Sequence, residues 1–302
     1  MSSLALSFDL GNLSCMVTPL LFIDGKSGFV DGKPEAYLSL NDRGLNYGHG
    51  LFETMRLSAG QLPLWSYHRQ RLSVGAASLG IALDRPRLDA YLQQALEAFP
   101  ADGMIKLLLT AGVGPRGYRH QSQSACYVLQ YFPLPPVADP TAVRLQLCEY
   151  TLPHNERLAG IKHLNRLDQV LAAAELDEGF DGLLLDVDGN VVEALSSNVF
   201  LFDGQRWITP VLDLCGVAGV MRRLLCEDLI PRLGQQVVIK PVALASFINA
   251  REVFVCNSVR GIQPVRELQG RARWLTESNE LQGFEAEKII DQLVHAYPCF
   301  AA

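Results

Sequence analysis

The sequence predicts an α+β protein of two domains, and three observations predict it. Strand-like and helix-like stretches alternate along all 302 residues with no internal repeat. The stretch PLPPVADP (133–140) places four prolines in eight residues, which forbids helix and resists a central strand. A chain of this length accommodates one large domain or two medium ones. The division that follows is an N-terminal extension over 1–16, a smaller α/β domain over 17–135, a linker over 136–142 and a larger domain over 143–302. Two such domains favour a ligand cleft between them.

The smaller domain opens on short strands. Asp24-Gly25 closes LLFIDG and Asp31-Gly32 follows it, both hairpin signals. LFETMRL reads as a strand ended by the turn Ser58-Ala59-Gly60. Helices are predicted over Ser66–Leu79 and Pro86–Phe99, the second with Asp84 near its start and a proline in its first turn. MIKLLLT and ACYVLQYF read as paired strands around the loop AGVGPRGYRHQSQS. In the larger domain VRLQLCEY is a strand and Leu164–Leu176 a helix. GLLLDVDGNVVEA is a strand, a turn and a strand, and NVFLF is another strand. Gly219–Leu233 is a helix, QVVIKPV and REVFVCN are strands, and Glu280–Tyr297 is a terminal amphipathic helix.

Composition narrows the function. The chain is 49% hydrophobic and 19% charged, with a net charge of −6, which is globular and lacks the basic excess that nucleic acid or an anionic membrane requires. A small anionic ligand held by local arginines remains compatible with it. Apolar runs fall short of the roughly 18–20 residues that span a bilayer, and no Lys or Arg precedes Lys26, so no secretory signal is expected. Seven scattered cysteines without a Cys-x-x-Cys pair read as reduced thiols in a cytoplasmic protein with no metal site.

The residues that suggest chemistry are dispersed. Lys162, in ERLAGIKHLNRLDQVLAAAEL, falls at a loop-to-helix junction. Glu193 ends a strand before a small-residue bend, where a buried carboxylate can hold a cationic heteroaromatic nitrogen. GVAGVMRRLL starts a helix at Gly219, so the amides of Val220 and Met221 are free to take a phosphate. Ser258 follows VFVCN and offers a hydroxyl, and Arg71 in HRQRL offers a bidentate anion contact. A lysine, an acidic partner and a phosphate cup match the requirements of pyridoxal 5'-phosphate. Each has an ordinary alternative: a surface lysine, a turn carboxylate, a solvated helix arginine.

The segments NDRGLNYGHGLFET, HRQRL, LAGIKHLNRLDQVL, VVEALSSNVF, GVAGVMR and VFVCNSVRGIQPV, in that order, resemble the fold-type-IV pyridoxal-phosphate family. Its members include branched-chain and D-amino-acid aminotransferases and aminodeoxychorismate lyases. The Lys162 segment is most similar to the lyases. The resemblance implies a D-amino-acid-aminotransferase-like fold with the cofactor between two domains, a small-molecule substrate and a homodimer. It implies that Lys162 takes the cofactor aldehyde, Glu193 pairs with the pyridine nitrogen, and Arg71, the Val220 and Met221 amides and Ser258 hold the phosphate. Asn165 falls in the lysine motif and is expected to help position the cofactor. Arg166 stands where branched-chain aminotransferases carry a tyrosine near the cofactor hydroxyl. For a substrate with carboxylates, Arg116 and Tyr118 in the glycine-rich loop are the expected partners, with Tyr47 and Phe52 lining the pocket. His49 and His163 read as structural. The implied reaction converts 4-amino-4-deoxychorismate to 4-aminobenzoate and pyruvate. The alternative is amino transfer on D-amino or branched-chain amino acids.

Overall fold

The computed structural model describes residues 21–24, 26–27, 29–30, 33–34, 38–119, 124–134, 142–275 and 283–301. The expected extension over 1–16, Asp31-Gly32 and nearly all of the expected linker lie outside the described residues.

The first half folds around a five-stranded antiparallel sheet. Its strands are β1 (Leu21–Ile23), β2 (Lys26–Ser27), β5 (Gly50–Leu57), β6 (Gly103–Thr110) and β7 (Cys126–Phe132), in the order β2-β1-β7-β6-β5. A separate pair, β3 (Phe29–Val30) and β4 (Lys33–Pro34), follows β2. Between Asn41 and Gly50 the chain makes a short helix, α1 (Arg43–Tyr47). The Asp42 side chain caps it by accepting from the Gly44 and Leu45 amides at 2.8 and 3.2 Å. Gly48, at φ 62°, ends it.

Helices α2 (Trp65–Ser78) and α3 (Arg85–Ala98) cover one face of this sheet. Leu72, Ala76, Leu88, Leu92 and Ala95 pack there against Ile105, Leu107 and Leu109. The strand period of two decides what β5 does. Leu51, Glu53, Met55 and Leu57 turn into this core, and Phe52, Thr54 and Arg56 point to the opposite face. That opposite face fronts the site.

The second half carries a nine-stranded mixed sheet. Its members are β8 (Val143–Leu152), β9 (Asp181–Asp186), β10 (Val191–Ala194), β11 (Asn198–Phe202), β12 (Trp207–Pro210), β13 (Val237–Lys240), β14 (Glu252–Asn257), β15 (Gly261–Leu268) and β16 (Ala272–Arg273). The order is β10-β9-β8-β15-β14-β11-β12-β13, with β16 on β15. The helix predicted from Gly219 is continuous but not uniform. It runs as α5 (Val220–Leu224), a π-helical turn over Leu225–Leu229, and α6 (Ile230–Arg232). Its apolar side joins Phe200, Phe254, Ile289 and Leu293, the last two from the terminal helix α8 (Glu285–Ala296). A short helix α7 (Leu244–Ile248) closes the other face with Phe247.

The helix predicted over Leu164–Leu176 is shorter: α4 spans Leu167–Ala173. Its predicted first turn is drawn out along β5 instead. The Phe52 amide donates to Lys162 O and the Leu164 amide to Gly50 O, both at 3.0 Å. Backbone bonded sideways to a strand cannot also be helical. The six cysteines among the described residues are free thiols, and burial raises them, Cys126 and Cys215 to about 12. No described helix is long and apolar enough to cross a membrane.

Candidate active site

A cavity of about 510 Å³ is bounded by strands of both sheets. From the first half come Phe52 and Thr54 on β5, Met104 on β6 and Arg71 on α2. From the second come Lys162, Arg166, Glu193, the bend 195–198, Gly219 and Val220, and the turn 257–260. Four cationic side chains line it, Arg71, Lys162, Arg166 and Arg260, against the single carboxylate of Glu193. The cavity therefore selects anions.

The bonds from residues 162 and 164 to β5 hold Lys162 beside that strand, and its Nζ lies 4.3 Å from the centroid of the Phe52 ring. Burial, reinforced by the Arg71 charge, lowers its amine to about 8 against the pull of Glu53 and Glu193. A useful fraction is then the neutral nucleophile near neutral pH. Glu193 sits on β10 with 4% exposure and accepts the Val217 amide at 2.9 Å. Burial pushes its carboxyl up to about 7, despite that bond and the charges of Lys162, Arg166 and Arg222. Such a group gains a partner when a cationic ring nitrogen comes to it.

Arg71 is held by a buried cluster. Its Nε donates to Glu53 Oε1 at 2.9 Å, its Nη2 to Glu53 Oε2, and its Nη1 to Ala218 O at 3.1 Å. His68 donates Nδ1–H to the same carboxylate at 2.6 Å and is held neutral by burial. Burial alone would raise Glu53, yet Arg71 and His68 outweigh it and bring the carboxyl down to about 2. Three of the five guanidinium N–H groups are thus used and two remain. The first turn of α5 adds amides with no intrahelical acceptor. Gly219 ahead of it admits no side chain, since a Cβ there would stand 1.9 Å from Asn198 Oδ1. A phosphate fits this corner, an aldehyde fits Lys162 and a ring nitrogen fits Glu193, so the donor set suits pyridoxal phosphate.

Of the residues expected from the sequence, Arg71, Lys162, Glu193, Val220, Ser258 and Phe52 line this cavity. The Met221 side chain is buried in the core under α5, which leaves its amide as the relevant group. The Ser258 hydroxyl donates to Thr54 O at 2.9 Å and keeps its lone pairs to accept. Four of the expected residues do not line this cavity within the chain. Asn165 lies in a neighbouring cavity of about 230 Å³ with Tyr47 and His49, its Nδ2 on Gly48 O at 3.2 Å. Tyr47 lines that second cavity, accepts the Gly117 amide at 2.9 Å and packs edge-on with Tyr118. Arg116 and Tyr118 are exposed, Tyr118 at 90%, and neither lines the main cavity within this chain. For the loop residues the cause is Arg43, which donates to Gly117 O and Tyr118 O and draws the loop toward α1.

Sequence reasoning missed Arg260 and Gln169 as cavity residues. Arg260 sits in the turn between β14 and β15, and its only signal was its place two residues after Ser258.

A family model described as amino-transferase class IV matches residues 50–268. An aminodeoxychorismate lyase of Vibrio harveyi is 35% identical over 245 residues, covering 78% of this chain and 89% of that protein. A crystal structure of 4-amino-4-deoxychorismate lyase from Pseudomonas aeruginosa superposes with a TM-score of 0.81 at 40% identity, over 91% of this chain and 98% of that one. A D-alanine aminotransferase of Bacillus licheniformis is 28% identical over 255 residues, covering 81% and 88%.

Proposed function

The chain belongs to the class IV aminotransferase family, and from that membership we propose that it is an aminodeoxychorismate lyase, a pyridoxal-phosphate enzyme that forms 4-aminobenzoate and pyruvate in the synthesis of folate. The family is pyridoxal-phosphate-dependent. The observation that carries the reading is the meeting of Lys162, Glu193 and Arg71 in one anion-selective cavity. The 35% and 40% identities to the Vibrio harveyi and Pseudomonas aeruginosa lyases, against 28% to the D-alanine enzyme, support it over amino transfer. Arg166 in the cavity, where a branched-chain aminotransferase would carry tyrosine, supports it as well.

When bound, the cofactor supplies a ring that delocalises negative charge from the carbon bearing the substrate amine. Lys162 would hold the cofactor through its aldehyde, and its free Nζ would be the base that takes the proton from that carbon. Glu193, buried on β10, would pair with the ring nitrogen and favour its protonated form. Arg71, braced by Glu53, the α5 amides and Ser258 orient the phosphate. Loss of the enolpyruvyl group from the neighbouring carbon breaks the ether bond and aromatises the ring. The enolpyruvate takes a proton and leaves as pyruvate. The proposal includes a cytoplasmic homodimer acting on a small molecule.

The test is to offer the purified holoenzyme aminodeoxychorismate in one assay, and D-alanine or leucine with a keto acid in another. Pyruvate formed in step with 4-aminobenzoate, with much slower amino transfer, is expected. Rapid amino transfer with no pyruvate from aminodeoxychorismate would reverse the assignment.

A further inference from the structure

We propose that Glu53 and His68 are positioning residues for the cofactor phosphate: together they hold Arg71 aimed at it, and so set how strongly the protein prefers pyridoxal phosphate to pyridoxal. The inference rests on the cofactor reading above and holds whichever reaction follows.

Glu53 stands where an apolar side chain is the ordinary choice. β5 turns it into the core between Leu51 and Met55, and its side chain is 1% exposed. Apolar side chains in place of a buried ion pair are often no less stable, so folding alone gives no reason for a carboxylate there. Its contacts do. Oε1 accepts Arg71 Nε–H at 2.9 Å and Oε2 accepts from Nη2, so the carboxylate takes one whole edge of the guanidinium. Nη1 donates to Ala218 O at 3.1 Å, across to the second half of the chain and next to Gly219. One N–H on Nη1 and one on Nη2 stay unused on a side chain that lines the cavity.

His68 completes the clamp. It stands three residues before Arg71 on α2, so both reach the same strand from one helix face. Its Nδ1–H donates to Glu53 Oε2 at 2.6 Å, and its side chain is 1% exposed. Its Nε2 is buried without a partner, which leaves Glu53 as the imidazole's hydrogen-bond partner among the described residues. The last torsion of a glutamate is soft, and a second donor on Oε2 fixes the plane of the carboxylate and with it the plane of the guanidinium. Burial lowers the imidazole below its ordinary value, so His68 supplies a donor without a charge.

Two effects of Glu53 oppose each other. Its negative charge weakens the field that an incoming phosphate meets, and its fork aims the donors that the phosphate needs. Aim outweighs charge here. A phosphate draws on the field of the whole cavity but on the direction of each single donor, and hydrogen bonds weaken steeply off axis. An unheld arginine loses its rotamer freedom when the ligand binds, whereas one ordered during folding does not. The two effects predict opposite signs on removal of Glu53, which makes the choice between them measurable.

The experiment strips the cofactor from the full-length wild type, E53Q, H68L, H68N, R71Q and E53Q/R71Q, and measures the dissociation constants of pyridoxal phosphate and of pyridoxal by absorbance titration. Pyridoxal has the same aldehyde and ring and lacks the phosphate. E53Q is expected to weaken pyridoxal phosphate by about 10- to 30-fold and to leave pyridoxal within about twofold. H68L is expected to weaken pyridoxal phosphate by about 3- to 10-fold, and H68N, whose amide N–H stands close to the place of Nδ1–H, to recover most of that loss. E53Q is expected to add nothing in the R71Q background, since both residues act through Arg71. Pyridoxal phosphate held as tightly or more tightly by E53Q than by wild type overturns the proposal. Equal weakening of both ligands overturns it too, because the pocket as a whole has then changed. Should E53Q not fold, the histidine pair decides: H68L equal to wild type, or H68N no better than H68L, overturns it. No binding of pyridoxal phosphate by the wild type overturns the cofactor reading itself.

Discussion

Lys162 owes its low amine to enclosure, and that enclosure comes from two backbone hydrogen bonds to β5. An ordinary lysine at about 10.4 is protonated at neutral pH, and only the neutral amine attacks an aldehyde. The rate of pyridoxal-phosphate capture by the apoprotein should therefore rise from pH 6 and level off above about 8. A rate still climbing at pH 10, measured by stopped-flow absorbance, would refute the lowered value. Glu53 works in the opposite sense. Its folded carboxyl lies near 2 against an ordinary 4.5, so it stabilises the fold above about pH 4.5 and loses that contribution as pH falls toward 2. Denaturant midpoints of wild type and Glu53→Gln should differ most at pH 6, draw together below about pH 4.5 and converge only near pH 2. A constant gap would contradict this. The cavity-lining Lys162, Glu193 and Arg71 were legible because each sits in a motif of distinctive residues. Asn165 and Tyr118 stand outside that cavity in this chain because one segment pairs with β5 and the other with Arg43. Glu53 and His68 were invisible as a pair, since fifteen residues and a turn separate them before α2 folds back.

At the scale of elements, α3 illustrates what local signals carry. Asp84 accepts the Arg87 amide at 3.1 Å, and a proline follows in the first turn, as the sequence led one to expect. Asp84→Ala should cost about 1 kcal/mol in urea unfolding. Leu107→Ala, on β6 and fully buried between α2 and α3, should cost about 2–5 kcal/mol because a cavity remains. A loss under about 1 kcal/mol would mean that this core relaxes around the gap. Elements that escaped the sequence have identifiable causes. β12 is only four residues long, and β15 contains Pro264, which argues against a strand. That proline is tolerated because pairing with β8 starts at the next residue, Val265. The π-helical turn in the Gly219 helix leaves no mark on an apolar pattern that continues through it.

For the molecule as a whole, the proline-rich stretch falls between β7, the last strand of the five-stranded sheet, and β8 of the nine-stranded one. The reaction site draws on both sheets, which is why no single segment of the sequence contains it. A net charge of −6 conceals a cavity with four cations against one carboxylate. That local excess suits a phosphate cofactor and a dicarboxylate substrate together. The most direct test of the account is the yield of 4-aminobenzoate and pyruvate from aminodeoxychorismate by wild-type holoenzyme and by Lys162→Ala. One pyruvate for each 4-aminobenzoate from the wild type, and neither product from the variant, is the predicted result. Undiminished turnover by Lys162→Ala would contradict it.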